Sequence, residues 1–533
     1  MATLENGDKN YTSLLTEIEN GQIKIPQFQR QFVWSKSNSA KLIDSILKGY
    51  PIGTFIYWRT NERLRSIRNI GNIDLVEPKD GEFVNYVLDG QQRITSIFAS
   101  LKGETVIREN GKSDDFSEIY IDLNATDEDD IVITDITEKE DLTYIKLTEL
   151  MFEKIRVLSD RFDDEQLDKI DNYKSIINSY QFVGVNLKDA EIDVATEVFT
   201  RLNVGGKSLS LFEIMVAKTY SPERGFDLYD EFEKLMKDLK PSYDTISSAS
   251  VLQLVALLEK RECSRKTILK LDKNLFIDKW YKSVDAIKQS VDFFKSFGIP
   301  VSKLLPYNSL IVPFGYFFYH HPTNPSGKKL SLLIDFFWRV SLGYRYSSAV
   351  EGKLVQDIDK MDKILSESQP KYEWKIDYSV EGIKEQGEFS TGKSFIKAIL
   401  CLLTMQKPKS FHNNLDVNVN NDWLKITTSK NYHHFFPKSF MRKNYKDIDP
   451  NLVNHVVNIT IVDDHLNKNI IRAKSPSEYM LLFKEQNQNL VSTMKTHLID
   501  ELDSFGIWDN DYMTFFSKRL KLISDKIGEQ VLD

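Results

Sequence analysis

Tyr86-Val87-Leu88-Asp89-Gly90-Gln91-Gln92-Arg93-Ile94-Thr95-Ser96 is the stretch whose reading decides how the first part of the chain folds. Three apolar, β-prone residues run into an Asp-Gly turn, and the polar residues that follow open onto Ile94, Ile97, Phe98 and Leu101, spaced as one face of a helix. The pattern predicts strand, tight turn, helix. Such a turn presents backbone N–H groups at a helix N-terminus, where orphan donors and the helix dipole favour an anion such as phosphate. Gly90 lets a backbone come close, Arg93 can fork two hydrogen bonds onto phosphate oxygens, and Asp89 can hold a metal ion or a ribose hydroxyl. The same residues also suit a plain strand-to-helix turn, capped by Asp and carrying surface glutamines, and residue types alone leave both readings standing.

Composition bounds the class. A chain of 533 residues has room for two to four domains at roughly 100 to 200 residues each. Its 41% apolar, 12% aromatic and 28% charged content is that of a soluble globular protein, with no apolar run long enough to span a bilayer. The opening Met-Ala-Thr-Leu-Glu-Asn-Gly-Asp-Lys lacks the basic-then-apolar order of a signal peptide. With only Cys263 and Cys401, far apart, neither a disulfide framework nor a cysteine zinc cluster is available, so a cytoplasmic location is expected, with no membrane partner. A formal net charge of -8 argues against indiscriminate polyanion binding but leaves room for local basic patches.

Upstream of the turn, Leu14, Leu15 and Ile18 predict a short helix, Gly21 a break, and Ile23 to Pro26 an extended segment. A polar loop with interspersed aromatics follows, Gln27 to Trp34, in which Phe28, Phe32 and Trp34 read as core while Gln29 and Arg30 need partners if buried. Leu42, Ile43, Ile46 and Leu47 share one helical face that ends at Gly49, and Thr54 to Trp58 reads as a strand. Downstream, Asp127 to Asp141 holds eight carboxylates against one lysine and is expected as a solvated, mobile loop. Phe182 to Leu187 predicts a strand, followed by a helix with Ala195, Val198, Phe199 and Leu202 inward. Arg201 to Ser210 then contains Gly205, Gly206 and Lys207, read as a glycine C-cap and a Ser210 N-cap, with Arg201 and Asn203 left open as phosphate contacts.

Four motifs in one order carry a resemblance: Ile-Pro-Gln-Phe-Gln-Arg-Gln-Phe-Val-Trp (25–34), Leu-Ile-Asp-Ser-Ile-Leu-Lys-Gly-Tyr-Pro-Ile-Gly (42–53), Val-Leu-Asp-Gly-Gln-Gln-Arg-Ile-Thr-Ser (87–96) and Phe-Thr-Arg-Leu-Asn-Val-Gly-Gly-Lys-Ser-Leu-Ser (199–210). Together they resemble the N-terminal nucleotidase domain of the GmrSD-type, modification-dependent (type IV) restriction proteins, a ParB/sulfiredoxin-like fold. The resemblance implies NTP binding and hydrolysis, with Asp89, Gly90, Gln91, Gln92 and Arg93 at the phosphates or metal and Gln29 and Arg30 close by. Spacing by itself carries no statement about hydrolysis.

From Leu211 to Pro370 the texture changes to long helical periods. Leu252, Leu254, Val255 and Leu258 form one face, Phe293, Phe294 and Phe297 end another helix, and Leu333, Phe336, Phe337 and Val340 form a third face. Breakers at Pro241, Pro300, Pro306, Pro313 and Pro322 to Gly327 predict packed helices joined by short loops. His320 and His321 precede a Pro-Thr-Asn-Pro-Ser-Gly loop without nearby carboxylates or cysteines and read as loop histidines rather than metal ligands.

The last third holds candidate chemistry. His433 and His434, in Asn-Tyr-His-His-Phe-Phe-Pro-Lys (431–438), follow a β-prone run from Trp423 to Thr428. Neighbours on a strand face opposite sides, so one imidazole can bind a metal while the other faces a reacting water. Asn458 in Asn-Ile-Thr-Ile and Asn467 in Leu-Asn-Lys-Asn complete a His-His, Asn, Asn order. A hard divalent cation keeps several waters and needs few protein ligands, while a neutral histidine activates water toward phosphorus. This arrangement resembles a ββα-metal (HNH-type) nuclease, the C-terminal domain that accompanies the nucleotidase domain in GmrSD-like proteins. The resemblance implies His434 as general base, His433 and Asn467 as ligands of Mg²⁺ or Mn²⁺, and Asn458 orienting His434. Asn467 stands where many such nucleases have a histidine, which leaves metal preference open; His455 and His465 are near enough to substitute. Between Met405 and Lys446 eight Lys or Arg accompany two Asp, and Lys438, Arg442 and Lys443 are the candidate DNA contacts.

The expectation is an α+β chain with three parts: a ParB-like NTP-binding domain over 1–215, a helical connecting domain over 216–370 and an HNH nuclease domain over 371–533. Its expected function is an NTP-regulated, metal-dependent endonuclease of anti-phage defence acting on modified phage DNA, with a homo-oligomer compatible. The alternatives are a nucleotide-responsive DNA-binding module with a degenerate nuclease centre, or an RNA-directed HNH toxin.

Overall fold

The structure is a computed structural model that describes residues 2–532 apart from 27–31, 62–63, 65, 68, 71–72, 75, 77, 79–80, 108–112, 127–128, 138, 203–209, 420–431 and 463–465. The chain divides into two compact units, residues 1–228 and 229–533, so the segments 229–370 and 371–533 share one unit. Unit 1 is a mixed α+β body built on a sheet, and unit 2 is largely helical. Among the described residues no helix is long and apolar enough to cross a membrane.

Unit 1 begins with β1 (Thr3–Asn6), α1 (Tyr11–Glu19), β2 (Ile23–Pro26), α2 (Lys36–Leu47), β3 (Phe55–Thr60), β4 (Ser66–Ile67), β5 (Val84–Asp89) and α3 (Gln91–Lys102). It continues through β6 (Tyr120–Asp122), β7 (Val132–Ile133), β8 (Tyr144–Lys146), α4 (Asp164–Ser179), β9 (Gly184–Lys188), α5 (Ile192–Leu202) and α6 (Leu211–Thr219). The six-stranded sheet runs β1-β9-β3-β5-β2-β4. Its central β3–β5 pair is antiparallel, while β9 on β3 and β2 on β5 are parallel. Between Ile56 and Tyr57 the β3–β5 register slips, so Ile56 faces Asp89 while Tyr57 faces Val87. The irregularity falls where the strand feeds the Asp-Gly turn, a common place for a bulge to re-aim a chain.

The apolar faces read from the sequence are buried. Ile94, Ile97, Phe98 and Leu101 of α3 and Ile43, Ile46 and Leu47 of α2 enter one core with Leu14, Leu15 and Ile18 of α1. Each large side chain so buried is worth about 1.5–3 kcal/mol relative to exposure. Gly49, with φ +69, follows α2 in the left-handed conformation that a side chain resists. Phe32 and Trp34 pack against this core, as expected; Phe28 lies outside the described residues.

Several expectations are corrected. The acidic stretch is not simply a solvated loop: Ile131 and Val132 are buried, β7 pairs with β6, and the buried Asp44 of α2 accepts from Ile131 N–H (2.7 Å) and Val132 N–H (3.3 Å). Paired backbone and buried aliphatics outweigh the carboxylates on the remaining surface. The strand expected over 182–187 is broken at exposed Val183, with Gln181–Phe182 pairing elsewhere. In α5 Ala195 and Phe199 point inward, but Leu202 at the helix end is 41% exposed. Ser210 caps α6 in a reciprocal box with Glu213, and Arg201 pairs on the surface with Glu197 at 2.6 Å. Gly205, Gly206 and Asn203 lie outside the described residues.

Unit 2 stacks α7 (Ser248–Lys260), α8 (Lys273–Ser296), α9 (Ile311–His320), α10 (Gly327–Leu342) and α11 (Val350–Leu365) around a phenylalanine cluster. Phe294 and Phe314 ring centroids lie 4.7 Å apart, Phe293 and Phe314 5.5 Å, and Phe297 and Phe337 5.6 Å. Leu333, Phe336, Phe337 and Val340 are buried together, as the spacing predicts. Pro313, expected as a breaker, sits in the first turn of α9, where the missing N–H interrupts nothing. His320 ends α9, exposed, and neither it nor His321 belongs to a metal-binding group among the described residues. Beyond these helices come α12 (Ser394–Met405), β10 (Tyr432–His434), α13 (Lys438–Asn444), β11 (Ile459–Ile461), a π-helical turn (Leu466–Ile471), α14 (Pro476–Gln486) and α15 (Tyr512–Gly528).

Candidate functional site

In unit 1 the strand-turn-helix reading holds: β5 ends at Asp89, Gly90 turns with φ +96, and α3 starts at Gln91. A Cβ on Gly90 would strike the Phe55 ring, so two constraints fix this glycine. Gly90 is itself the N-cap of α3 and offers no side-chain cap. Arg93, one turn in, donates from Nη1 to the Ile52 carbonyl (2.7 Å) and from Nη2 to the Thr54 carbonyl (3.1 Å) and to Asp89 Oδ2 (2.9 Å). Its guanidinium also lies over Phe55, 4.9 Å from the ring centroid. Two of the five guanidinium donors thus clamp the loop before β3 onto the start of α3, and a third ties in the end of β5. Gln91 and Gln92 are buried rather than on the surface, and Gln92 Oε1 accepts from Val33 N–H at 2.8 Å. Gln29 and Arg30 lie outside the described residues, but the chain on either side of them is anchored here, by β2 beside β5 and by Val33 on Gln92.

In unit 2 the adjacent histidines lie on β10, antiparallel to β11, with His433 opposite Thr460 and His434 opposite Ile459. Strand alternation sends the two rings to opposite faces. His433 is buried, its ring 6.1 Å from that of Tyr479. His434 is half-buried against the edge of Phe389, and its Nε2 lies 3.1 Å from Asn454 Oδ1. Burial, then the neighbouring Lys438 charge, push the His434 pKa down to about 4. The imidazole is therefore neutral at neutral pH, the form a proton acceptor needs.

Asn458, fully buried, spends its side-chain amide on the backbone rather than on the His434 ring. Its Oδ1 accepts from Phe436 N–H (2.8 Å), and its Nδ2 donates to the carbonyls of Val453 (2.9 Å) and Phe436 (3.0 Å). Its own carbonyl accepts from Phe435 N–H at 2.8 Å. Asn458 thereby fixes the backbone immediately after His434, with its side-chain amide engaged at both ends. From below, Tyr479 donates its hydroxyl to the Phe435 carbonyl, and the fully buried Arg519 donates to the Val457 carbonyl. Pro437 then opens α13, on which Lys438, Arg442 and Lys443 are exposed without a carboxylate partner among the described residues.

Residues 11–220 match the GmrSD restriction endonuclease N-terminal domain. The match contains the whole Asp89–Arg93 turn and ends before the histidine hairpin. Beyond it, the chain is similar to an uncharacterized protein, MJ0686, of Methanocaldococcus jannaschii, at 25% identity over 606 aligned positions that take in 99% of this chain and 100% of that protein. The GmrSD-type domain points to a component of a modification-dependent restriction system with DNA as its substrate.

The donors that the hairpin can offer a cation are few. His433 presents an imidazole from the buried face of β10; Asn467 follows β11 in the π-helical turn, and its side chain lies outside the described residues. Among the described residues no group of three His, Cys, Asp or Glu gathers for a metal. One imidazole and one amide suit a hard cation that keeps most of its waters, not a closed tetrahedral site. Of the two substitutes, His465 lies outside the described residues, and His455 is committed elsewhere: its Nε2 donates to the Ile383 carbonyl (3.2 Å) and its Nδ1 accepts from Val457 N–H (3.2 Å). Sequence reasoning missed Asn454, Tyr479 and Arg519 at this site. Only Asn454 left a trace, a polar residue beside His455 between the apolar pairs Leu452-Val453 and Val456-Val457.

Proposed function

We propose that this chain is an NTP-regulated, metal-dependent DNA endonuclease of phage defence, directed at DNA with modified bases or a modified backbone. The observation that carries the cutting half is His434: a neutral, half-buried imidazole near the exposed Lys438, on a hairpin whose backbone Asn458 locks. His434 takes the proton of the attacking water, and Lys438, Arg442 and Lys443 hold the phosphates on either side. His433 and Asn467 are the residues for a Mg²⁺ or Mn²⁺ ion, whose chemistry when bound is to neutralise the charge that develops on the leaving oxygen. In the GmrSD-type domain, nucleotide phosphates sit on the uncapped start of α3, with Asp89, Gly90, Gln91, Gln92 and Arg93 around them and Gln29 and Arg30 as further contacts.

The test is a panel of phage DNAs, modified and plain, incubated with the full chain, Mg²⁺ or Mn²⁺, and with or without NTP. Modified DNA is expected to be nicked or cleaved in an NTP-responsive way, and His434→Ala to lower the rate by about 100-fold or more. Unchanged cutting by that variant overturns the assignment.

A further inference from the structure

We propose that Asn454 is a positioning residue for His434: its amide oxygen holds the ring with the proton on Nε2, and so leaves Nδ1 as the nitrogen that receives a proton from water. This rests on the reading of His434 as general base. The geometry comes from three elements. Asn454 ends the short helix Pro450–Val453, donates its backbone N–H to the Pro450 carbonyl (2.9 Å) and accepts from Phe389 N–H (2.8 Å) at its own carbonyl. Both main-chain groups are thus engaged whatever the side chain does, so the local turn does not need an asparagine.

The side chain faces two ways. Nδ2 points to the Phe389 carbonyl at 3.5 Å, and Oδ1 lies 3.1 Å from His434 Nε2. Turning the amide over would set Oδ1 against the Phe389 carbonyl, two acceptors with no hydrogen between them, so the Phe389 backbone selects the orientation. With an acceptor held at Nε2, the tautomer carrying hydrogen on Nδ1 would oppose two lone pairs, and the tautomer carrying it on Nε2 makes a hydrogen bond. The Phe389 ring, edge-on at 6.2 Å and 85°, bounds the imidazole on another side. One residue therefore orients the base twice, through its backbone for Asn454 and through its ring for His434.

The experiment uses the full chain selectively labelled with ¹⁵N-histidine and free of metal. The His434 signals are identified by their loss in His434→Ala. The expected wild-type spectrum shows a protonated Nε2 and a bare Nδ1, and Asn454→Ala shifts the population toward the other tautomer. In parallel, Asn454→Ala lowers kcat for DNA cleavage about 10- to 100-fold with KM unchanged, and Asn454→Asp, which keeps the acceptor, restores most of it. A wild-type ring protonated on Nδ1, or full kcat in Asn454→Ala, overturns the proposal. If the wild-type chain cuts no nucleic acid, the nuclease reading falls, and the tautomer spectrum still decides the bond.

Discussion

Arg93 shows what a single side chain can and cannot reveal. Its type and its place after an Asp-Gly turn announce a phosphate fork, yet its acceptors are the carbonyls of Ile52 and Thr54 and the carboxylate of Asp89. Those carbonyls lie some forty residues upstream, so no local reading finds them. Both roles act together in the prediction for Arg93→Ala. Losing charged hydrogen bonds of about 1.5–3 kcal/mol each, partly replaced by water, lowers the melting temperature of unit 1, and nucleotide affinity by calorimetry falls with it. Arg93→Lys keeps the charge but not the fork and restores neither in full. Nucleotide affinity that survives in Arg93→Ala removes this residue from the phosphate contacts and leaves it the clamp alone.

At the scale of elements, apolar spacing made α2 and α3 legible, and a short apolar run made β5 legible, because their large aliphatic and aromatic side chains are buried. What escaped was pairing across long separations. The acidic stretch gains order from Asp44, 87 residues away, and Pro313 is tolerated because a helix begins just before it. The same limit hid the buried imidazoles around the hairpin. Burial pushes His455 down to about 4 and His497 to about 3, each ring donating to a backbone carbonyl. Both are neutral when folded, whereas the unfolded chain takes up protons from about pH 6.5 downward. Their stabilisation is complete above that pH and is lost as pH falls toward 4, at up to about 1.4 kcal/mol per pH unit and per ring. Thermal unfolding of unit 2 should therefore steepen in its pH dependence between 6.5 and 4.5. The double variant His455→Gln, His497→Gln keeps donors without titrating and should reduce the slope, leaving the share of His434, whose ring is pushed down in the same way; an unchanged slope would show that other groups set the acid limit.

For the molecule as a whole, the proposed division of labour makes a prediction that neither unit makes alone. The turn at Asp89–Arg93 and the hairpin at His433–His434 lie in separate compact units, so the two chemistries should separate by mutation. In the full chain, His434→Ala is expected to lose DNA cleavage while keeping nucleotide binding and turnover, and Arg93→Ala to cut modified DNA at a rate that no longer responds to NTP. A third variant isolates DNA attraction: replacing Lys438, Arg442 and Lys443 by Ala removes exposed cations and should flatten the dependence of log affinity on log salt by about 0.9 for each phosphate no longer neutralised. That change should be the same for modified and plain DNA, because cations on phosphates position the duplex without reading it. If the triple variant instead abolished only the preference for modified DNA, α13 would be the reader of the modification, and discrimination would belong to the hairpin unit rather than to the GmrSD-type domain.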